Sequence, residues 1–263
     1  MSRLNDLQQL NRLLLEDMPE YRTQAKSFPK TEDAQWKLYR SLVNVRRPNP
    51  IHDMYLAAQN AFLQREIQNI TDWRTLQPIE DGIYLWRGDI TTLKADAIVN
   101  AANSGLTGCY FPCHKCIDNA IHTYAGVQLR NYCAGIMEEQ GYPEPTGRAK
   151  ITPAFNLPSK YILHTVGPIV DGVLTDTHRE QLASCYRACL ELAEENKLQS
   201  LAFCCISTGE FHFPNEEAAQ IAVREVRRYR QKGGICQVIF NVFTEKDYQI
   251  YADILTPGIP CMV

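Results

Sequence analysis

Residues 201–206 read LAFCCI, a nearly unbroken apolar run, and residues 207–209 read STG, a polar turn that follows at once. A run that is apolar at every position is typical of a strand buried on both faces of a sheet. A second run, VIFNVF, occupies residues 238–243 and is apolar except at Asn241. Amphipathic segments with helical spacing lie between these and other short strand-like runs. This alternation predicts an α/β fold, a three-layer sandwich around a mixed or largely parallel sheet.

The remaining elements after residue 80 follow from the same two periodicities. Further strands are predicted at Ile83–Trp86, Ala97–Val99, Lys150–Pro153 and Tyr161–Val166. Helices are predicted at Asp118–Cys133, after a capping box of Thr177 and Glu180, after an Asn215 cap and after Thr244. In such sheets ligands bind beyond the carboxyl ends of the strands, so the loops after the strands become the candidate sites.

The first 80 residues have a different pattern. Leucines at positions 7, 10 and 14 recur at helical spacing, as do apolar residues in two further segments, and no convincing strand is visible. We therefore predict two parts, a helical N-terminal extension over residues 1–80 packed on a main domain over residues 81–263.

Composition excludes several classes of protein. The 263 residues carry 27 basic and 30 acidic side chains, a net charge of −3, so no basic field is available for nucleic acid. No run of about 18 apolar residues is present, which argues against a membrane-spanning helix. The N-terminus is amphipathic and unlike a signal peptide, so a cytoplasmic location is expected. Ten cysteines in such a chain favour metal binding, catalysis or core packing over disulfides.

Two loops suggest a nucleotide ligand. Residues 87–91 read RGDIT, in which Asp89 offers an acceptor for an exocyclic amine such as that of adenine; a plain turn with an Asx cap explains it equally well. Residues 207–214 read STGEFHFP, where hydroxyls, a glycine and amides ahead of a helix could hold a diphosphate. That loop lacks the lysine of an NTP-hydrolysing loop, and a simple strand-to-helix connection remains the alternative.

The loop after the strand at 97–99 carries the strongest signal. Asn100 and Asn103 offer side-chain amides suited to ribose hydroxyls. Residues 108–119 then read GCYFPCHKCIDN, which places three cysteines and one histidine in a short loop. Zinc prefers such sulfur and nitrogen ligands. A Cys3His set would close a structural site, whereas three ligands would leave the open position of a catalytic zinc. Partly buried free thiols are the alternative.

Taken together, these motifs closely resemble the macrodomains, a family that binds ADP-ribose. The resemblance covers about residues 80 to 256 and rests on residues 88–91 (GDIT), 96–103 (DAIVNAAN), 121–122 (IH), 164–168 (HTVGP) and 206–209 (ISTG). The cysteine-containing stretch replaces the usual glycine-rich one, and with the helical extension it resembles the zinc-containing branch of the family. The resemblance implies a three-layer α/β/α macrodomain with a mixed central sheet.

The resemblance also implies roles for matching residues. Asp89 and Ile90 would hold the adenine, and Asn103 and Asp118 would face the distal ribose as the catalytic pair. The diphosphate would be wrapped by Ser207, Thr208, Gly209, Glu210 and Phe211. One Zn²⁺ per chain would be bound by Cys109, His114 and Cys116, with Cys113 at a variable position. The family commonly has glycine where this chain has His212, which affects the expected loop geometry.

The function that the resemblance implies is zinc-dependent hydrolysis of mono-ADP-ribose from acidic side chains of modified proteins. Zinc could activate water, polarise the departing ester or orient the substrate, and Asp118 could orient or deprotonate a water or a ribose hydroxyl. In microbes such enzymes are often encoded beside a sirtuin-type ADP-ribosyltransferase and a lipoyl-carrier protein resembling the glycine cleavage H protein. Two alternatives stay open: a non-catalytic ADP-ribose reader with a structural zinc, and a hydrolase of small derivatives such as O-acetyl-ADP-ribose.

Overall fold

The computed structural model of the protein describes residues 2–256, so Met1 and residues 257–263, with Cys261, lie outside the described part. Its α-helices are α1 (Arg3–Asp17), α2 (Arg22–Ala25), α3 (Glu32–Val45), α4 (Asp53–Glu66), α5 (Ile117–Ala125), α6 (Val127–Gln140), α7 (Asp176–Glu195), α8 (Asn215–Gln231) and α9 (Glu245–Leu255). Its strands are β1 (Thr71–Asp72), β2 (Pro78–Glu80), β3 (Ile83–Arg87), β4 (Leu93–Lys94), β5 (Ala97–Ala101), β6 (Ala149–Pro153), β7 (Tyr161–Thr165), β8 (Ser200–Phe203) and β9 (Gln237–Val242).

A mixed sheet forms the centre of the molecule. Its seven strands lie in the order β2-β3-β9-β8-β5-β7-β6, and the five in the middle are parallel while β2 and β6 pair antiparallel at the two edges. The parallel strands β5, β8 and β9 are buried along most of their length, as their apolar runs predict. Because these strands are parallel, their carboxyl ends meet at one edge of the sheet.

Helices cover the sheet in two groups. α8 packs against both α7 and α9, and α5 packs against α6 and β5. The predicted three-layer α/β/α architecture with a mixed central sheet is confirmed. Within residues 2–256, no helix is both long enough and apolar enough to span a membrane.

The N-terminal helices form a second, smaller core, built from α1, α3 and α4 and containing Leu7, Leu10, Leu14, Tyr39 and Phe62. Val127, a residue of the main domain, is also part of this core. We call residues 3–66 the N-terminal unit.

The predicted boundary at residue 80 lies too late, because the helices end at Glu66 and Ile67 already packs in the main core. The expectation of no strand before residue 81 was wrong as well. β1 pairs with β4, and β2 forms an edge of the main sheet.

The helix predicted over Asp118–Cys133 is two helices. Gly126 separates α5 from α6 with a φ of 96°, a conformation that side chains other than glycine rarely adopt. A Cβ at this position would lie 2.6 Å from the side-chain amides of Gln59 and Gln128. The absence of a side chain at Gly126 therefore lets Gln59 of the N-terminal unit come close to the backbone between α5 and α6.

Two predicted helix caps were also wrong. α7 begins two residues earlier than expected, with Thr175 and His178 forming the capping box in place of Thr177 and Glu180. α8 begins at Asn215, after Pro214, without a side-chain cap. The side-chain amide of Asn215 donates to Asp247 instead. The cap of α9 by Thr244 is confirmed.

Candidate functional site

A cavity of about 690 Å³ opens at the carboxyl ends of the central strands. Residues that follow β5, β8 and β9 form its walls, as the parallel topology requires. Three sets of side chains reach it: the 109–116 loop with Asp118 at the start of α5, the loop of residues 207–211, and Asn241, Phe243, Thr244 and Asp247 around the end of β9.

Asp118 is the buried acid of the cavity, 5% exposed, in the first turn of α5. Asn100 Nδ2 donates to one carboxylate oxygen at 2.8 Å and Asn103 Nδ2 to the other at 3.3 Å. Burial raises the pKa of Asp118 to about 6, and the two amides and the Arg130 charge limit the rise. An acid with such a pKa can exchange a proton near neutral pH.

Hydrogen bonds hold both the nitrogen and the oxygen of the Asn103 side-chain amide. Besides Asp118, its Nδ2 donates to the Gly108 carbonyl at 3.1 Å, and its Oδ1 accepts from the Gly105 amide at 2.9 Å. The side chain lines the cavity in this fixed orientation. The structure thus brings the two predicted catalytic residues, Asn103 and Asp118, into direct contact.

The sulfur and nitrogen atoms of the 109–116 loop converge. One ligand atom from each of Cys109, His114 and Cys116 lies within 4.8 Å of the others, and Cys109 Sγ is 3.7 Å from His114 Nδ1. Burial, together with the neighbouring Cys109, raises the pKa of Cys116 to about 12, so the thiolate of Cys116 needs a nearby cation to stabilise it. Two sulfurs and an imidazole at this spacing fit a zinc ion.

Cys113 lies apart from this cluster. Its Sγ is 3.5 Å from the Lys37 carbonyl and 3.5 Å from Ser41 Oγ, both on α3. The structure therefore places three donors, and not a Cys3His set, beside the cavity.

The backbone of residues 207–213 presents unused donors. Within the described residues, the amides of 208–211 donate to no protein acceptor, whereas His212 donates to the Gly209 carbonyl and Phe213 to the Ser207 carbonyl. A run of free amides at the end of a strand binds anions such as phosphate. His212 has a φ of 56°, in the left-handed region that glycine favours, which explains why glycine is common there in the family that the sequence resembles.

Asp89 and Ile90 do not line the cavity. Asp89 Oδ1 accepts from the amide and hydroxyl of Thr91 at 2.9 and 2.7 Å, and Ile90 is buried in the core. In contrast, sequence reasoning missed Asn241 and Phe243. Phe243, which is 76% exposed, offers a ring for stacking on a base. Its position just beyond β9 is the signal that could have identified it.

A second convergence, of His122, Cys133 and His164, lies buried beneath Asp118. His164 Nδ1 accepts from Asn100, and its Nε2 lies 2.9 Å from the Thr152 hydroxyl. Burial lowers the pKa of both histidines, that of His164 to about 3, so both rings are neutral. His122 Nε2, 3.5 Å from Asp118, is therefore a polar neighbour of the acid and not an ion-pair partner.

The structure is an α/β/α sandwich, and one cavity contains both the unbonded amides of residues 208–211 and the buried Asp118. These features define a protein with an anion-binding cleft. Comparison with known proteins identifies the family: the model described as Macro domain matches residues 99–222. The chain is 54% identical over 250 residues to a protein-ADP-ribose hydrolase of Treponema medium, covering 92% of this chain and 95% of the relative. A protein of the same name from Staphylococcus aureus strain MSSA476 is 51% identical over 230 residues, 86% of each chain.

Among solved structures, the Trypanosoma brucei macrodomain in complex with ADP-ribose superposes with a TM-score of 0.64 at 29% identity, covering 82% of this chain and 94% of that one. The chain belongs to the macrodomain family. Its likeness to the curated hydrolases over nearly the full length of both chains also confirms the expected class of enzyme, a protein-ADP-ribose hydrolase.

Proposed function

We propose that the chain removes mono-ADP-ribose from acidic side chains of modified proteins and that it requires one zinc ion, held by Cys109, His114 and Cys116. The observation that carries the proposal is the convergence of these three donors on the cavity that also contains Asp118. Three protein ligands leave a zinc ion one open position. A zinc ion bound there would supply a Lewis acid to the oxygen atoms of the scissile bond.

The protein's own groups then have defined tasks. The free amides of residues 208–211 bind the diphosphate, which orients the distal ribose toward the other wall. Asn103 holds Asp118 in place. Asp118 accepts a proton from a ribose hydroxyl or a water, or returns a proton to it. Phe243 and Asn241 line the wall at the end of β9, where the adenine would lie. The adenine role of Asp89 and Ile90 stays a prediction from the sequence resemblance.

The relatives named protein-ADP-ribose hydrolase support hydrolysis of ADP-ribose from protein, and an ADP-ribosylated protein is accordingly the expected partner. The sirtuin-type transferase, the lipoyl-carrier substrate and the cytoplasmic location remain predictions from the sequence. So does the absence of a nucleic-acid partner.

The decisive experiment measures release of ADP-ribose from an aspartate- or glutamate-modified protein, with zinc quantified in the same sample before and after chelation. About one zinc per chain, with release lost on chelation while ADP-ribose still binds, is the expected result. Zinc without release from any modified protein would support a reader. Activity confined to O-acetyl-ADP-ribose would support a small-molecule hydrolase, and full activity without zinc would contradict the metal requirement.

A further inference from the structure

The 109–116 loop rests on helix α3 of the N-terminal unit. The Cys113 amide donates to Asn44 Oδ1 at 2.9 Å, and Asn44 Nδ2 donates to the Thr123 hydroxyl of α5 at 3.2 Å. Asn44 is 1% exposed, so water does not compete for either bond. Cys113 has a φ of 54°, which a residue with a Cβ adopts only where its surroundings hold it there. Asn44 thus joins the turn of the loop to the helix that carries Asp118.

A second α3 residue, Arg40, reaches two further points of the same loop. Its Nη2 donates to the His114 carbonyl at 3.2 Å and to Asn119 Oδ1 at 2.8 Å. Asn119 in turn donates from its side chain to the Phe111 carbonyl at 3.1 Å and from its backbone to Cys116 Sγ at 3.4 Å. Arg40 is therefore bonded directly to the backbone of one zinc donor and, through Asn119, to the sulfur of another.

The third donor is tied to α3 from the opposite direction. Arg130 of α6, only 4% exposed, donates through Nη1 to the carbonyls of Val43, Asn44 and Arg46 at the end of α3. Its Nη2 lies 3.3 Å from the Cys109 carbonyl, to which it donates. Each of the three donor residues is thus linked to α3 by a short chain of hydrogen bonds.

We infer that the N-terminal unit is a working part of the metal centre. Arg40 and Asn44 are positioning residues that hold residues 113–116, with the donors His114 and Cys116, and the end of α3 holds Cys109 through Arg130. The inference rests on the proposed function. Donors on a loop must be ordered before they bind a metal together, and groups behind the ligands that supply this order change metal affinity by about 10- to 100-fold. α3 supplies that order although it contributes no ligand.

Arg40→Ala and Asn44→Ala in the full-length protein test the inference, with Asn60→Ala as the matched control. Asn60 also bonds across to the main domain, where its Oδ1 accepts from the side chains of Gln128 and Asn156, but within the described residues its side chain makes no hydrogen bond to the 109–116 loop. We expect both test variants to raise the zinc Kd, measured by competition with a chromogenic chelator, about 10- to 100-fold. In turnover assays kcat should fall while KM stays constant, and the control should match the wild type.

Arg40→Lys should recover part of the zinc affinity, because an ammonium can still reach one of the two acceptors. If Asn44→Ala does not fold, the zinc affinities of Arg40→Ala and Arg40→Lys, which change a half-buried residue, test the inference. Zinc affinities within about twofold of wild type in the Arg40 variants, or an equal loss in Asn60→Ala, would overturn the inference.

Amide hydrogen exchange in the zinc-free protein separates this inference from the proposed function. The Cys113 amide should exchange faster in Asn44→Ala than in the wild type and should stay protected in Asn60→Ala. Equal protection in wild type and Asn44→Ala would refute the role of α3 on its own. A wild type that binds no zinc would instead refute the proposed metal requirement.

Discussion

Nε2 of His114 lies 3.4 Å from Oε1 of Glu210, so a donor of the 109–116 loop meets the 207–211 loop across the cavity. The other ring nitrogen, Nδ1, faces Cys109 Sγ. A histidine that binds a metal through one nitrogen commonly donates from the other to a carboxylate, which fixes the ring. The Glu210 carboxylate lies within ion-pair distance of Nε2 and is placed to fix the ring in this way, although the sequence resemblance assigned Glu210 to the diphosphate.

Glu210→Ala is therefore expected to weaken zinc binding about tenfold. Because the substitution also removes a negative charge near the diphosphate amides, ADP-ribose should bind the zinc-free variant at least as tightly as it binds the zinc-free wild type. Chelator competition and calorimetry measure the two affinities. Glu216→Ala, an exposed glutamate at the start of α8, is the control. Weaker ADP-ribose binding with unchanged zinc affinity would return Glu210 to the diphosphate role.

Cys116→Ser and Cys113→Ser should differ although the two cysteines are close in sequence. Cys116 lies in the donor cluster and Cys113 faces α3. Zinc content should fall well below one per chain in Cys116→Ser, with loss of release, whereas Cys113→Ser should retain zinc because a hydroxyl can keep the contacts to α3. Equal zinc loss in both variants, by elemental analysis, would point to a Cys3His site.

Asp118→Asn removes the proton acceptor while keeping the shape of the side chain. We expect kcat to fall by about 10²- to 10⁴-fold, the range typical of a general acid or base. ADP-ribose affinity should change little, because the diphosphate amides are untouched. The comparison variant is Asp247→Asn, which changes another acid that lines the cavity. A fully active Asp118→Asn enzyme would reassign proton transfer.

Asp96 links the start of β5 to β7 and β8. Burial disfavours its charge, but the Lys160 ammonium at 2.7 Å and the Gln199 amide at 2.7 Å hold its pKa below the ordinary value. A depressed folded-state pKa means that this stabilisation is present above the unfolded pKa of about 3.9 and is lost as the pH falls through the folded value.

Asp96→Asn should thus lower the free energy of unfolding at pH 7 by about 1 kcal/mol, and the difference from wild type should shrink below about pH 4. Urea titrations at several pH values measure this difference. Asp81→Asn, whose fully exposed carboxylate pairs with Arg230, should have little effect at any pH. A difference for Asp96→Asn that is independent of pH would contradict the assignment to charge.

The local sequence pattern predicted most of the fold, because the strands of the parallel core are short, largely apolar runs. Where local signals competed, prediction failed. The apolar spacing continues through Gly126, so one helix was expected in place of α5 and α6. Thr177 and Glu180 satisfy the spacing of a capping box as well as Thr175 and His178 do, and only packing selects the earlier start.

The site shows the same division. Asn103 and residues 207–211 were candidates because they lie in loops that follow strands, whereas the role of Asp118 was implied by the family resemblance. The contacts of Arg40 and Asn44 join residues more than 65 positions apart, and no local pattern marks them.

By itself, the sequence determined the α/β class, the family and the set of candidate donors, since these depend on residue type and short spacing. The family resemblance implied which three donors form the set, but only the tertiary structure shows that they converge, that Cys113 faces α3 instead, and that burial moves the pKa of Asp118 toward neutrality. Those properties depend on distance and on exclusion of water, which exist only once α3, α5 and the central sheet have packed together.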